Sequence, residues 1–217
     1  LAVIYFNLDT STVECRFSED GGQGFGGIRL VTPVAVHQDA KARDAAYFPS
    51  VASDRQAGVL YVAYQAVHEG PAILFTRSID KGRTWTKPQR INDTPRRASV
   101  FNPGLAVSPD GQHVTVVFYD KRHDVSGEEL EVDFYLAESF DGGDTWEPNL
   151  RISDRSSSLK LAPKLSRGYM LGDYNSIAPA LDFVTPAVTI WIDTRTGSPD
   201  PYSSRITRTK GATYETW

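Results

Sequence analysis

Ser78-Ile79-Asp80-Lys81-Gly82-Arg83-Thr84-Trp85 recurs 61 residues later as Ser139-Phe140-Asp141-Gly142-Gly143-Asp144-Thr145-Trp146. An eight-residue pattern repeated at a fixed interval marks a chain assembled from structural repeats. Sixty residues before Ser78, Ser18-Glu19-Asp20-Gly21-Gly22-Gln23-Gly24-Phe25 keeps the serine, aspartate, glycine and aromatic positions and loses the threonine. Sixty-eight residues after Ser139, Thr207-Arg208-Thr209-Lys210-Gly211-Ala212-Thr213-Tyr214 is a more worn copy. The chemistry is that of a hairpin turn. Asp and Ser side chains bond to nearby backbone N–H groups, Gly takes a positive φ without steric cost, and Trp anchors the returning strand.

The segments around each copy read as β-structure. Leu1–Phe6, Val59–Tyr64, His113–Tyr119 and Ala187–Ile192 are dense in β-branched and aromatic residues, which predicts buried second strands of successive units. Tyr47–Ala52, Phe101–Ala106 and Tyr174–Ala178 lead into short first strands rich in small residues, and no useful amphipathic helix is found. The units fall at about 1–35, 45–93, 99–154 and 172–217. Ser156–Arg167, basic and serine-rich, is a linker that accounts for the wider last interval.

These repeats resemble the Asp-boxes of BNR-repeat proteins, the superfamily that includes the sialidases. The resemblance implies an all-β fold, a β-propeller of four-stranded antiparallel blades in which each box joins the third strand to the fourth. It makes Ser18, Asp20, Gly22, Ser78, Asp80, Gly82, Thr84, Trp85, Ser139, Asp141, Gly143, Thr145 and Trp146 structural turn residues. The expectation is about four blades of a six-bladed ring, starting inside a blade and completed by further segments of a longer chain or by another subunit.

Bulk properties narrow the function. With 217 residues, 40% hydrophobic and 23% charged, the chain has the composition of a folded domain. A net charge of −4 provides no field for nucleic acid. No apolar run approaches the roughly 20 residues of a membrane-spanning helix. The single cysteine, Cys15, reads as a small buried hydrophobe. His37, His68, His113 and His123 lack metal-ligand spacing, with His123 read as a solvated loop residue, and no metal site is expected. The acidic stretch Asp124–Glu131 lacks the alternation of a calcium loop, so no motif supports a structural calcium, and no cofactor is expected. Gly21–Gly27 sits in a hairpin, the wrong context for a phosphate cradle.

In an up-and-down blade the boxes lie at one end of the strands, and the second-to-third strand loops and inter-blade linkers lie at the other. Polar residues recur at that second end. Tyr119-Asp120-Lys121-Arg122 and Ile192-Asp193-Thr194-Arg195 repeat Asp-x-Arg, while Arg43, Arg96, Arg97 and Gly172-Asp173-Tyr174 occupy linkers. One Asp-x-Arg alone reads as a capped turn whose Arg pairs locally. Gathered on one rim, they form a polar cup, because the planar guanidinium fork suits carboxylates and hydroxyls. Asp120, Arg122, Asp193, Arg43 and Arg97 are therefore candidate ligand-binding residues.

Gly-Asp-Tyr and Trp-x-Asp-x-Arg also resemble a bacterial BNR group labelled sialidase-like, which implies Asp173, Tyr174 and Arg195 as catalytic candidates. The Arg-Ile-Pro motif of sialidases is missing. The nearest string, Arg90-Ile91-Asn92, lies in a predicted fourth strand, and no glutamate maps onto the nucleophile's partner. Two readings follow: a propeller that binds a glycan or an extracellular protein, and a sialidase-like exo-glycosidase acting on extracellular glycans. The resemblance places either one in a secreted, periplasmic or cell-surface setting.

Overall fold

The β-branched segments fold as antiparallel sheets in the computed structural model, which describes residues 1–173, 175–179 and 186–207. The first sheet holds β1 (Ala2–Asn7), β2 (Thr12–Phe17) and β3 (Arg29–Pro33). The second runs in order through β4 (Ser50–Asp54), β5 (Val59–Val67), β6 (Pro71–Ser78) and β7 (Gln89–Arg90). The third repeats this with β8 (Val100–Val107), β9 (Val114–Asp120), β10 (Glu131–Ser139) and β11 (Leu150–Arg151), and β12 (Ser157–Ser158) adds to the far end of β10. A small hairpin, β13 (Lys164–Leu165) and β14 (Gly168–Tyr169), precedes the fourth sheet of β15 (Ser176–Ala178), β16 (Ala187–Asp193) and β17 (Asp200–Ile206). One 3-10 turn at Leu159–Leu161 is the sole helical element among the described residues.

Both faces of the middle sheets are covered, which is why β8, β9 and most of β10 are continuously buried instead of alternating. Three separate cores lie between successive sheets. Val13, Cys15, Val62 and Leu74 join the first to the second; Phe75, Ile91, Val116 and Phe118 join the second to the third; Tyr119, Phe134, Trp191 and Ile206 join the third to the fourth. At the inner edge β8 lies against both β4 and β15. Sheets that pack face to face in sequence order, with their first strands adjacent, are blades arranged around an axis.

The three boxes within the described residues connect β2 to β3, β6 to β7 and β10 to β11. In the second, Ser78 Oγ donates to Asp80 at 2.8 Å and accepts from Gly82 N at 2.8 Å, while Asp80 Oδ1 accepts from Arg83 N and Thr84 N at 2.9 Å each. Ser139 and Asp141 repeat this pattern onto Gly143, Asp144 and Thr145. Ser18 and Asp20 keep the bonds to Gly22 and Gly24. From Arg208 onward the fourth copy lies outside the described residues.

The box glycine has a second reason to be glycine. A Cβ on Gly143 (φ 97°) would stand 2.4 Å from the Phe75 ring of the preceding blade. The box tryptophan also reaches backwards: Trp146 meets Phe75 edge-on at 5.0 Å and 70°. Its anchor is thus the neighbouring blade as well as its own returning strand, a contact that local turn chemistry does not reveal.

Candidate ligand-binding rim

At the end opposite the boxes, three linkers converge. Pairing of β8 with β9 shifts between Phe101 and Gly104, and in this bulge Asn102 adopts φ 54°. Asparagine tolerates this conformation better than most side chains, and in this bulge its neighbours fix it. Here Asn102 Oδ1 accepts from Ala45 N at 2.7 Å, its N donates to Gln65 Oε1 at 3.0 Å, its Nδ2 donates to Gly172 O at 3.2 Å, and its O accepts from Asn175 Nδ2 at 2.8 Å. One residue therefore ties together the linkers into the second and fourth blades.

This junction sets the pair predicted from separate linkers side by side. Arg43 Nη1 donates to Asp173 Oδ1 at 2.5 Å across 130 residues of sequence. Arg43 also meets the sulfur of Met170 at 3.3 Å. With side chains 26% and 20% exposed, both groups remain within reach of solvent. Arg97 is exposed and makes no hydrogen bond or ion pair among the described residues, whereas Arg96 pairs with Glu69. Tyr174, the remaining member of Gly-Asp-Tyr, lies outside the described residues.

The two Asp-x-Arg motifs occupy a different position. Asp120 is fully buried and accepts from Arg122 N at 2.7 Å, from its Nη2 at 2.7 Å, and from Thr94 Oγ1 at 2.5 Å. The Arg122 guanidinium lies 4.0 Å from the Tyr135 ring centre and pairs with Asp93 of the preceding blade. Arg195 copies the ion pairs and the ring contact, with Asp193 in its own strand, Tyr202 at 4.4 Å beneath it and Asp154 of the preceding blade. Arg155 stands where the first motif has Thr94, however, and no hydroxyl donates to Asp193 among the described residues. These guanidiniums are engaged inside the blade seams. Burial would lower the pKa of Arg122, but its bonds to Asp120 raise it instead.

Sequence reasoning missed the acidic halves of these seams. The signal was present, since Arg90-Ile91-Asn92-Asp93 recurs as Arg151-Ile152-Ser153-Asp154 at the interval of the boxes. Asn92 Oδ1 and Ser153 Oγ accept the equivalent third-strand amides, Ile73 N at 2.9 Å and Phe134 N at 3.1 Å. Arg90 bonds to the carbonyls of Asn92 and Thr94, in keeping with a structural fourth strand. His123 differs from its expected role as a plain loop residue: its Nδ1 lies 2.9 Å from the buried Asp133, although 45% of its side chain is exposed.

A buried charged layer lies beneath the junction, and no motif marked it. Lys121 Nζ donates to Asp39 at 2.7 Å and to Glu129 O at 2.7 Å, with 2% of the lysine side chain exposed and none of the aspartate's. Asp44 accepts from Asp39 N and Gln65 Nε2 at 2.7 Å each, and burial pushes its carboxyl pKa up. No group of three or more His, Cys, Asp or Glu residues suited to a metal ion occurs among the described residues.

Neither a protein-family model nor a curated protein matches this chain. Solved structures do match. The fold is that of a β-propeller. The NanB sialidase from Streptococcus pneumoniae aligns with a TM-score of 0.54 at 14% identity, over 94% of this chain and 27% of that one. A leech intramolecular trans-sialidase aligns at 0.53 and 14% identity, over 95% of this chain and 28% of that one. The Penicillium chrysogenum alpha-L-arabinanase aligns at 0.52 and 12% identity, over 97% of this chain and 60% of that one. The chain therefore spans about a quarter of the sialidase chains. All these neighbours are propeller glycosidases, and identities this low carry the fold and not the chemistry.

Proposed function

We propose that this chain is part of an extracellular or periplasmic propeller of the Asp-box (BNR) kind that binds a glycan, or a glycan-bearing protein, at the rim opposite its boxes. The supporting observation is the meeting of Arg43 and Asp173 at 2.5 Å beside the Asn102 junction. A guanidinium and a carboxylate that already orient each other, still open to solvent, offer donors and acceptors to sugar hydroxyls with little further ordering. Arg97 adds an exposed cation to the same rim. Asp120, Arg122, Asp193 and Arg195 act behind it by fixing the strand ends.

The test is a glycan array probed with the complete polypeptide and with its Arg43→Ala variant. Binding that the variant loses, with an unchanged melting temperature, supports the reading; equal binding by both removes Arg43 from it. A hydrolytic reading is favoured by one observation, that the structural neighbours are sialidases and an arabinanase. Asp173, Tyr174 and Arg195 are its candidates. Release of fluorophore from a sialoside by the complete polypeptide, abolished in Asp173→Ala, would establish it, and binding without turnover would leave the non-catalytic reading.

A further inference from the structure

The β13–β14 hairpin carries an unusual arrangement. It is held by two residue pairs, Lys164 with Tyr169 and Leu165 with Gly168, and residues 164–167 are all exposed. It buries too little of itself to be stable alone. Its attachment is to the linker between the first two blades, more than a hundred residues away in sequence. Arg43 N donates to Tyr169 O at 2.7 Å and Tyr169 N donates to Lys41 O at 2.8 Å, which makes a single parallel bridge between Ala42 and Tyr169.

The clamped linker is also the seat of the buried charges. Asp39 Oδ1 accepts from Lys41 N at 2.8 Å, from Ala42 N at 2.6 Å and from Lys121 Nζ at 2.7 Å. One carboxylate oxygen thus holds both the loop that receives the hairpin and the ammonium beneath it. Sealing an ion pair away from water carries a large desolvation cost that attraction and hydrogen bonds must offset. A thin hairpin fastened to the linker through one backbone bridge, the Arg43–Met170 contact and the half-buried Tyr169 ring supplies little to keep such a seal closed, and segments of this kind open locally at a small fraction of the global stability.

We infer that residues 163–170 form a detachable strap, which in its docked state holds linker residues 39–43 down over Lys121 and in its open state exposes the Asp39, Asp44, Gln65 and Lys121 layer to solvent at the rim. The open layer presents carboxylates, an amide and an ammonium, a set that suits a polyhydroxylated ligand; that last clause alone rests on the glycan reading above. Gly168 is where the strap is vulnerable. At φ 132°, a Cβ there would stand 2.3 Å from Lys41 O. Alanine at this position meets the docking partner itself.

The experiment needs no ligand. Native-state hydrogen exchange is followed at Arg43, Tyr169 and Met170, with β9 and β10 amides as the reference. Lys121 labelling by an N-hydroxysuccinimide acetate ester is followed by mass spectrometry, with exposed Lys81 and Lys87, away from the strap and its linker, as internal controls. The strap predicts exchange at its amides at least about 100-fold faster than in the reference strands, and a tenfold or greater rise in Lys121 labelling in Gly168→Ala, with the control lysines unchanged. Strap amides that exchange only together with β9 and β10 in the unaltered protein overturn the inference, and this arm stands even if Gly168→Ala fails to fold. Free strap exchange with Lys121 still unlabelled overturns it too. Neither arm depends on glycan binding, so failure here and failure of the functional reading are separable.

Discussion

Arg122 and Asp93 belong to adjacent blades and meet at 2.7 Å, and the relationship returns one blade later between Arg195 and Asp154. In each seam the guanidinium faces a buried carboxylate of its own strand on one side and an exposed carboxylate of the preceding blade on the other. The side chain of Asp120 is wholly buried, while that of Asp93 is 47% exposed.

The two halves of the seam are therefore unequal. Arg122→Ala strands a buried charge and is expected to lower stability by about 3–5 kcal/mol. Asp93→Ala removes a screened surface partner and should cost no more than about 1 kcal/mol. Urea denaturation with matched m-values measures both. Equal losses would contradict this division of roles.

Gly143 and Gly127 separate backbone conformation from packing. Both have positive φ, 97° and 76°, but a Cβ on Gly127 meets nothing within 4 Å, whereas one on Gly143 strikes Phe75 at 2.4 Å. Gly127→Ala is expected to cost about 1–2 kcal/mol for the left-handed backbone. Gly143→Ala adds roughly another 1–3 kcal/mol of overpacking. Thermal melts of the two variants compare them directly, and indistinguishable shifts would mean that the box glycine answers only to its own turn.

Acid should weaken the boxes. Burial pushes the Asp141 carboxyl up, but hydrogen bonds from the Thr145 hydroxyl and amide, from Ser139 and from Asp144 N outweigh it and bring the pKa to about 2. The unfolded carboxyl titrates at about 3.9. A depressed folded pKa contributes stability that is present above about pH 4 and lost as pH falls toward about 2. Asp141→Asn should melt earlier than the unaltered protein at pH 7, and the gap should narrow on acidification. A gap that stays constant from pH 7 to pH 3 would count against the hydrogen-bonded carboxylate.

Asp44 has the opposite sign. Its raised folded pKa means that its contribution is fully present below the unfolded value and declines as pH rises through the folded one. Asp44→Asn keeps an oxygen to accept from Asp39 N and Gln65 Nε2, so the melting temperature of the variant relative to the parent should improve from pH 4 to pH 8. If the difference is flat over that interval, burial does not penalise this carboxylate.

Much of the fold was legible because its determinants are local. The bonding within Ser-x-Asp-x-Gly-x-Thr links residues a few positions apart, so the sequence alone displays it, and the second strands declared themselves by continuous β-branched runs. The rim was legible only in part. Arg43 and Asp173 could each be nominated from their linkers, but their contact spans 130 residues and required the Asn102 bulge. The Asp-x-Arg motifs were visible as a repeat, yet their partners Asp93 and Asp154 sit in neighbouring blades.

What the residue order determined by itself was the repeat, the turn geometry and the antiparallel sheets, since near-neighbour hydrogen bonds and φ preferences depend on little beyond a few adjacent residues. Only the tertiary structure decided which charges face solvent and which are sealed. Lys121 reads like any exposed loop lysine until Asp39, 82 residues earlier, arrives beneath the strap to meet it. Burial is a property of what other segments bring to a group, and no local pattern carries that information.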